Sequence, residues 1–172
     1  MRSALETPAD SNYNRPSLSR AMSSELILTR AGSVMEAIER LIYHASRSVD
    51  AALYRLNHPR LVATLESAGK RGLRVRVVLD RNKYQESRIT RELLEGSRFP
   101  FRLSLGRRGN GSKMHHKFAI LDDRLALTGS YNWTLESEEQ NFENLLILDE
   151  PQLLEAYRQE FEALWEEAVS GL

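Results

Sequence analysis

The chain has 172 residues, a length that suits one domain with a sizeable buried core. Its formal net charge is zero, which excludes a global electrostatic pull toward polyanions, and its lack of cysteine excludes disulfides, thiolate nucleophiles and cysteine-built zinc sites. No apolar run approaches the roughly 20 residues needed to span a bilayer, and the first residues lack the apolar core of a secretory signal, so a cytoplasmic location without stable membrane insertion is expected.

Residues 1–24 are polar, with Pro8, Pro16 and several Ser and Asn. They are expected to be disordered or foreign to the native chain, leaving 25–172 as one domain. A first strand is expected over 25–29. Ser33 can cap a helix in which Val34, Ile38, Leu41, Ile42 and Ala45 recur at helical spacing. Residues 49–56 alternate enough for a strand, which Asn57-His58-Pro59 breaks, the proline taking the first turn of a helix with Leu61, Leu65 and Ala68 on one face. That helix stops at Gly72. Leu73, Val75, Val77, Val78 and Leu79 then make an apolar strand ending at Asp80, and strand, helix, strand at this length predicts a right-handed parallel crossover. A polar turn is expected at Asp80-Arg81-Asn82-Lys83, then a helix over 87–94 ended by Gly96. A strand over 99–105 would place Arg102 opposite Phe101 and Leu103. After a flexible basic loop at 106–112, strands are expected at 117–121, 125–128 and 145–148. Pro151 opens a last helix striped by Leu154, Tyr157, Phe161, Leu164 and Trp165. The alternation of elements predicts an α/β fold: a mixed, largely parallel sheet with helices on both faces.

Residues 115–144 concentrate the chemistry. They contain His115-x-Lys117, Asp122 after four residues, Gly129-Ser130-x-Asn132 after six more, and Glu143 within Asn141-Phe142-Glu143-Asn144. Strand alternation turns His115 and Lys117 to one face and His116 to the other. Ser130 and Asn132 share a face if their backbone is extended. An imidazole, an ammonium, a hydroxyl and a carboxamide on neighbouring strands suit an anion. Asp122 lies an odd number of residues from Lys117, points away from the site, and reads as a structural member of the motif. From 97 to 121 the chain carries Arg102, Arg107, Arg108 and Lys113 among its bases and no acid. They can form an ordinary solvated face or contact a phosphate backbone. His44 and His58 read as surface or capping groups.

The pattern H-x-K-x4-D-x6-G-S-x-N resembles the signature of the phospholipase D superfamily. The N-F-E-N tail resembles its single-motif branch, which includes small bacterial endonucleases and Zucchini-type proteins. Six fixed residues at about one in twenty each match by chance on the order of once in 10^8 starting points. The chain departs from zinc-carrying Zucchini relatives in having no cysteine. The resemblance implies a phospholipase D-like fold and hydrolysis of a phosphodiester without metal or other cofactor. It also implies a homodimer with its active site at the two-fold interface.

Phosphodiester hydrolysis supports that dimer independently. A neutral imidazole attacks phosphorus to give a phosphohistidine, and a second group must protonate the leaving alkoxide and later activate water. Two facing histidines are needed, and this chain has one such motif, so two-fold symmetry supplies the other. In this scheme His115 is the nucleophile. Lys117 and Asn132 bind the non-bridging oxygens, Ser130 supports them, and Glu143 accepts a hydrogen bond from the distal His115 nitrogen. Arg102, Arg107, Arg108 and Lys113 are candidate contacts to a nucleic-acid substrate, DNA or RNA, read with little sequence specificity. A lipid hydrolase acting on a phospholipid such as cardiolipin is the alternative, and a non-catalytic nucleic-acid or phospholipid-binding module a second.

Overall fold

The computed structural model describes residues 24–171. The polar segment expected over 1–24 thus lies, but for Ser24, outside the described residues. Fourteen elements follow in chain order: β1 (Glu25–Leu28), α1 (Val34–His44), β2 (Ser48–Leu53), α2 (Pro59–Lys70), β3 (Arg74–Asp80), α3 (Arg81–Glu86), α4 (Arg88–Leu94), β4 (Phe101–Ser104), β5 (Lys117–Leu121), β6 (Leu125–Gly129), α5 (Leu135–Glu139), β7 (Asn144–Leu148), α6 (Pro151–Glu167) and β8 (Val169–Ser170). All eight strands join one sheet in the order β1-β7-β6-β5-β2-β3-β4-β8.

The α/β class and the mixed sheet are as expected, but the parallel majority is not. Only β2 with β3 and β3 with β4 run parallel, the remaining neighbours pairing antiparallel. The reason is local. Helices separate β2, β3 and β4, as parallel crossovers require, whereas the tight turn after Leu121 folds β6 straight back on β5. In that turn Asp122 and Asp123 both take φ of 55°, and Arg124 N donates to Leu121 O at 2.9 Å. Aspartate tolerates this left-handed pair, which matches the twist of a hairpin.

Side-chain alternation divides the sheet into two apolar faces. Val49, Ala51 and Leu53 of β2, Val75 and Val77 of β3 and Ala119 and Leu121 of β5 pack with Ile38 and Ile42 of α1 and Leu61 and Leu65 of α2. Ala52, Val78, Phe118 and Ile120 point the other way, to Phe161 and the half-buried Tyr157, Leu164 and Trp165 of α6. The stripe expected on the last helix is thus the covering of the second face. Asp50, 3% exposed, also points there and pairs with Arg74 and Arg76, while Arg76 reaches Glu162 of α6 and lies over the Phe161 ring.

The N-cap role of Ser33 in α1 and the place of Pro59 in the first turn of α2 are as expected. The polar turn after Asp80 is instead the short helix α3, because the Asp80 carboxylate accepts from Lys83 N at 2.9 Å and caps it. Two elements were not expected: α5, capped by the Thr134 hydroxyl, and β8, a two-residue edge pairing with β4.

Candidate active site

The functional residues gather at one end of the sheet, where the parallel strands β2 and β3 finish and the antiparallel β5 and β7 begin. That is the edge where open α/β sheets bind ligands. Lys117 opens β5 opposite Leu53, and Tyr54 N continues the ladder by donating to His116 O at 2.7 Å. His115 and Lys117 therefore share a face, as expected. His116 faces α6, with Nε2 2.9 Å from Glu160 and its ring 5.3 Å from that of Phe118.

The Lys117 ammonium donates to the His115 carbonyl at 2.9 Å and stands 3.2 Å from His115 Nδ1. The ring itself lies against Tyr54, with centroids 4.2 Å apart. Burial, followed by the nearby ammonium groups of Lys117 and Lys113, holds the imidazole below its usual value and therefore neutral. Burial also lowers the Lys117 ammonium, with Glu143 opposing.

Gly129 ends β6 against the backbone of Asn144, and a Cβ there would collide with the Asn144 carbonyl. This close approach brings Ser130 to the head of β7. Its hydroxyl donates to Glu143 and accepts from Asn144 N at 3.1 Å and Asn144 Nδ2 at 3.2 Å. Beyond Ser130 the chain crosses over to Leu56, with which Trp133 forms a parallel bridge, so Asn132 passes across the strand heads. The Asn132 Oδ1 is buried and makes no hydrogen bond within the protomer. Tyr131 anchors the crossing: it is 1% exposed and donates to Glu138 at 2.9 Å.

One expected contact differs. Glu143 does not hold His115 in the protomer; its carboxylate takes Ser130 and, at 3.1 Å, Asn141 Nδ2, while Lys117 stands at His115 Nδ1. The Ser130 hydroxyl, placed by the Gly129 turn, reaches the carboxylate first. Asp122 lies at the far end of β5, as its odd offset implied. Its carboxylate accepts from the backbone amides of Ser46, Arg47 and Ser48 at 2.9, 2.7 and 2.9 Å.

The basic candidates separate. Lys113 comes to the site, its Nζ 6.0 Å from the Tyr54 ring. Arg107 and Arg108 are exposed in the loop before it. Arg102 does not join them: strand alternation turns it to the α6 face, where it lies 4.4 Å over the Trp165 ring and donates to the Trp165 carbonyl. His44 is exposed, whereas His58 is buried at the N-cap of α2, without a side-chain capping bond. Tyr54 is a residue at this end of the sheet that the sequence reasoning passed over, and Asp80 was read there only as a strand end and turn residue. Asp80, fully buried, accepts from Met114 N at 2.9 Å and so fixes the approach to His115. Both lie where parallel strands end, a position that the strand assignments could have flagged.

A family model, cardiolipin synthase, PLD-like domain, matches residues 38–165. The chain belongs to the phospholipase D superfamily. Among curated relatives of this phospholipase D-like hydrolase, the mitochondrial cardiolipin hydrolase of Xenopus tropicalis is 33% identical over 171 residues, covering 97% of this chain and 78% of that protein. The human protein of the same name is 32% identical over 144 residues, covering 81% and 54% respectively. Among solved structures, the phospholipase D family member Nuc from Salmonella typhimurium superposes with a TM-score of 0.78 at 25% identity, covering 87% of this chain and 97% of that one. NucT from Helicobacter pylori has the same TM-score at 24% identity, covering 87% and 99%, and shares the fold. No helix among the described residues is long and apolar enough to cross a membrane.

Proposed function

We propose that this phospholipase D-like chain is an endonuclease that cleaves DNA or RNA with little sequence specificity, through a phosphohistidine in a homodimeric site and without a metal. The observation that carries it is the His115 imidazole held 3.2 Å from the Lys117 ammonium at the carboxyl edge of the sheet, where burial and the nearby ammonium groups lower its pKa. A bound phosphate draws that ammonium onto its own oxygens, while Asn132, whose carboxamide oxygen has no partner in the protomer, turns its amide toward the same group.

His115 attacks phosphorus, a nitrogen–phosphorus bond forms and the phosphorus–oxygen bond to the leaving alkoxide breaks. The facing pair of imidazoles enters the reaction sharing one extra proton, carried by the partner subunit's His115 as imidazolium, and the alkoxide takes that proton. Water then attacks the phosphohistidine, gives its proton to that same partner imidazole, and releases His115. Ser130 and Glu143 hold the cradle in place. Lys113, Arg107 and Arg108 supply charge to the flanking backbone, which the neutral chain as a whole does not.

A phospholipid substrate is the second reading, favoured by curated relatives named cardiolipin hydrolases. Purified protein and a His115→Ala control, incubated in chelator with single- and double-stranded DNA, RNA and cardiolipin vesicles, separate the two. Cleavage of nucleic acid by the parent protein alone is expected. Lipid turnover without nucleic-acid cleavage reverses the order, and loss of all activity in chelator refutes the metal-free chemistry.

A further inference from the structure

Three ammonium groups surround one aromatic ring beside the candidate nucleophile, and only one of them is needed at the reacting phosphate. Tyr54 is 8% exposed, and its ring centroid lies 5.1 Å from Lys117 Nζ, 5.8 Å from Lys83 Nζ and 6.0 Å from Lys113 Nζ. His115 and Lys117 stand against the ring, which also lines a cavity of about 430 Å³ together with Asp80, Asn82, Lys83, Glu86 and Lys113.

That cavity is built, because one buried carboxylate fixes both of its lysine-bearing segments. Asp80, at 0% exposure, accepts from Lys83 N through one oxygen and from Met114 N through the other, each at 2.9 Å, and Asn82 Nδ2 donates to Ser112 O at 3.3 Å. Two carboxylates line the cavity: Asp80, whose oxygens are held by backbone amides, and Glu86, which pairs directly with Lys83. An internal carboxylate holds an ammonium that a phosphate can take over.

We infer that the cavity is a subsite for the phosphodiester next to the scissile one on a nucleic-acid strand. Lys83 and Lys113 bind its oxygens, and the Tyr54 ring forms the wall between the two phosphate positions. Two further ammonium groups beside the ring that packs on His115 match a ligand that repeats its charge at each nucleotide, and Glu86 is the competitor that sets how strongly the neighbouring phosphate is held. The inference rests on the nuclease reading.

The test compares two substrates in chelator: bis(p-nitrophenyl) phosphate, which carries one phosphodiester, and a fluorescent single-stranded oligonucleotide, which carries many. Lys83→Gln raises KM on the oligonucleotide by roughly threefold to tenfold more than on the small ester, and reduces the slope of log kcat/KM against log salt by about 1. Glu86→Gln moves the oligonucleotide KM in the opposite direction. Lys70→Gln, an exposed charge at the end of α2, moves neither and controls for net charge. Retained hydrolysis of the small ester by Lys83→Gln shows that the variant is folded.

An equal loss on both substrates places Lys83 at the scissile phosphate and overturns the inference. So does an oligonucleotide KM that neither variant moves, and in that case the nuclease reading stands. Parent protein that hydrolyses the small ester and cardiolipin vesicles but no oligonucleotide overturns the nuclease reading and the nucleic-acid occupant together.

Discussion

His115 owes its proposed role to its neighbours. Its depressed pKa keeps the ring neutral at pH values where a free imidazole is already charged, so the acid-side loss of activity should fall below the ordinary imidazole pKa of 6.5. Lys117→Met removes a positive neighbour and should raise the His115 titration point, measured on the ring proton by NMR, while cutting the rate by roughly 10^2 to 10^3. A titration point that does not move upward breaks the electrostatic link between the two residues. Asp122 has the opposite task. Burial would raise its carboxyl pKa, yet amide hydrogen bonds from Ser48, Ser46 and Arg47 outweigh that and hold it below the usual aspartate value. A carboxylate with a lowered folded-state pKa adds stability above its unfolded value, and the gain drains away as pH falls through the folded one. The stability gap between parent and Asp122→Asn, followed by denaturant melts, should be full at neutral pH and shrink only in the acid range below about 4. A gap that does not change with pH removes the charged form from the account.

Two elements carry stability and site geometry separately. Asp50 ties β2 to Arg74 and Arg76 of β3, and Arg76 ties β3 to Glu162 of α6. Asp50→Ala takes from Arg76 one of its two carboxylate partners, Arg74 being half exposed, and should cost about 2 kcal/mol, read from the denaturant midpoint at constant m-value. The β6–β7 junction should respond differently. Gly129→Ala puts a methyl group into the Asn144 carbonyl, so activity should fall by an order of magnitude or more because Ser130 and Glu143 lose their register. Most helices and strands were legible from apolar spacing and from start signals such as the Ser33 cap and the first-turn Pro59, since those signals are local. The antiparallel majority was not: whether β5 pairs with β2 or with another strand depends on contacts far apart in sequence. The same limit hid Tyr54, which reaches His115 only through the β2–β5 ladder. It also misassigned Arg102, because alternation alone does not say which face meets α6, and it placed Glu143 on His115 instead of Ser130.

At the scale of the whole molecule, the proposed two-fold site, to which each protomer brings the single motif imidazole of His115, makes assembly part of the chemistry. If both imidazoles of a two-fold site are required, mixing equal amounts of parent and His115→Ala chains with full subunit exchange should leave about one quarter of the activity of an all-parent sample. A residual near one half would mean that each chain works alone. Specific activity should also fall on dilution below the dimer dissociation constant, with sedimentation and turnover tracking each other.

The five residues of β5 have a further consequence. His115 and Lys117 stand at one end of this strand and Asp122 locks the other, so the four intervening positions measure off the depth of the sheet. Adding or deleting one residue between Lys117 and Asp122 would rotate the lock to the wrong side of the pleat, forcing the chain to sacrifice either its anchoring amides or the aim of its nucleophile. The motif's spacing is thus a ruler, one that ties the reach of a reactive side chain to the thickness of the scaffold behind it.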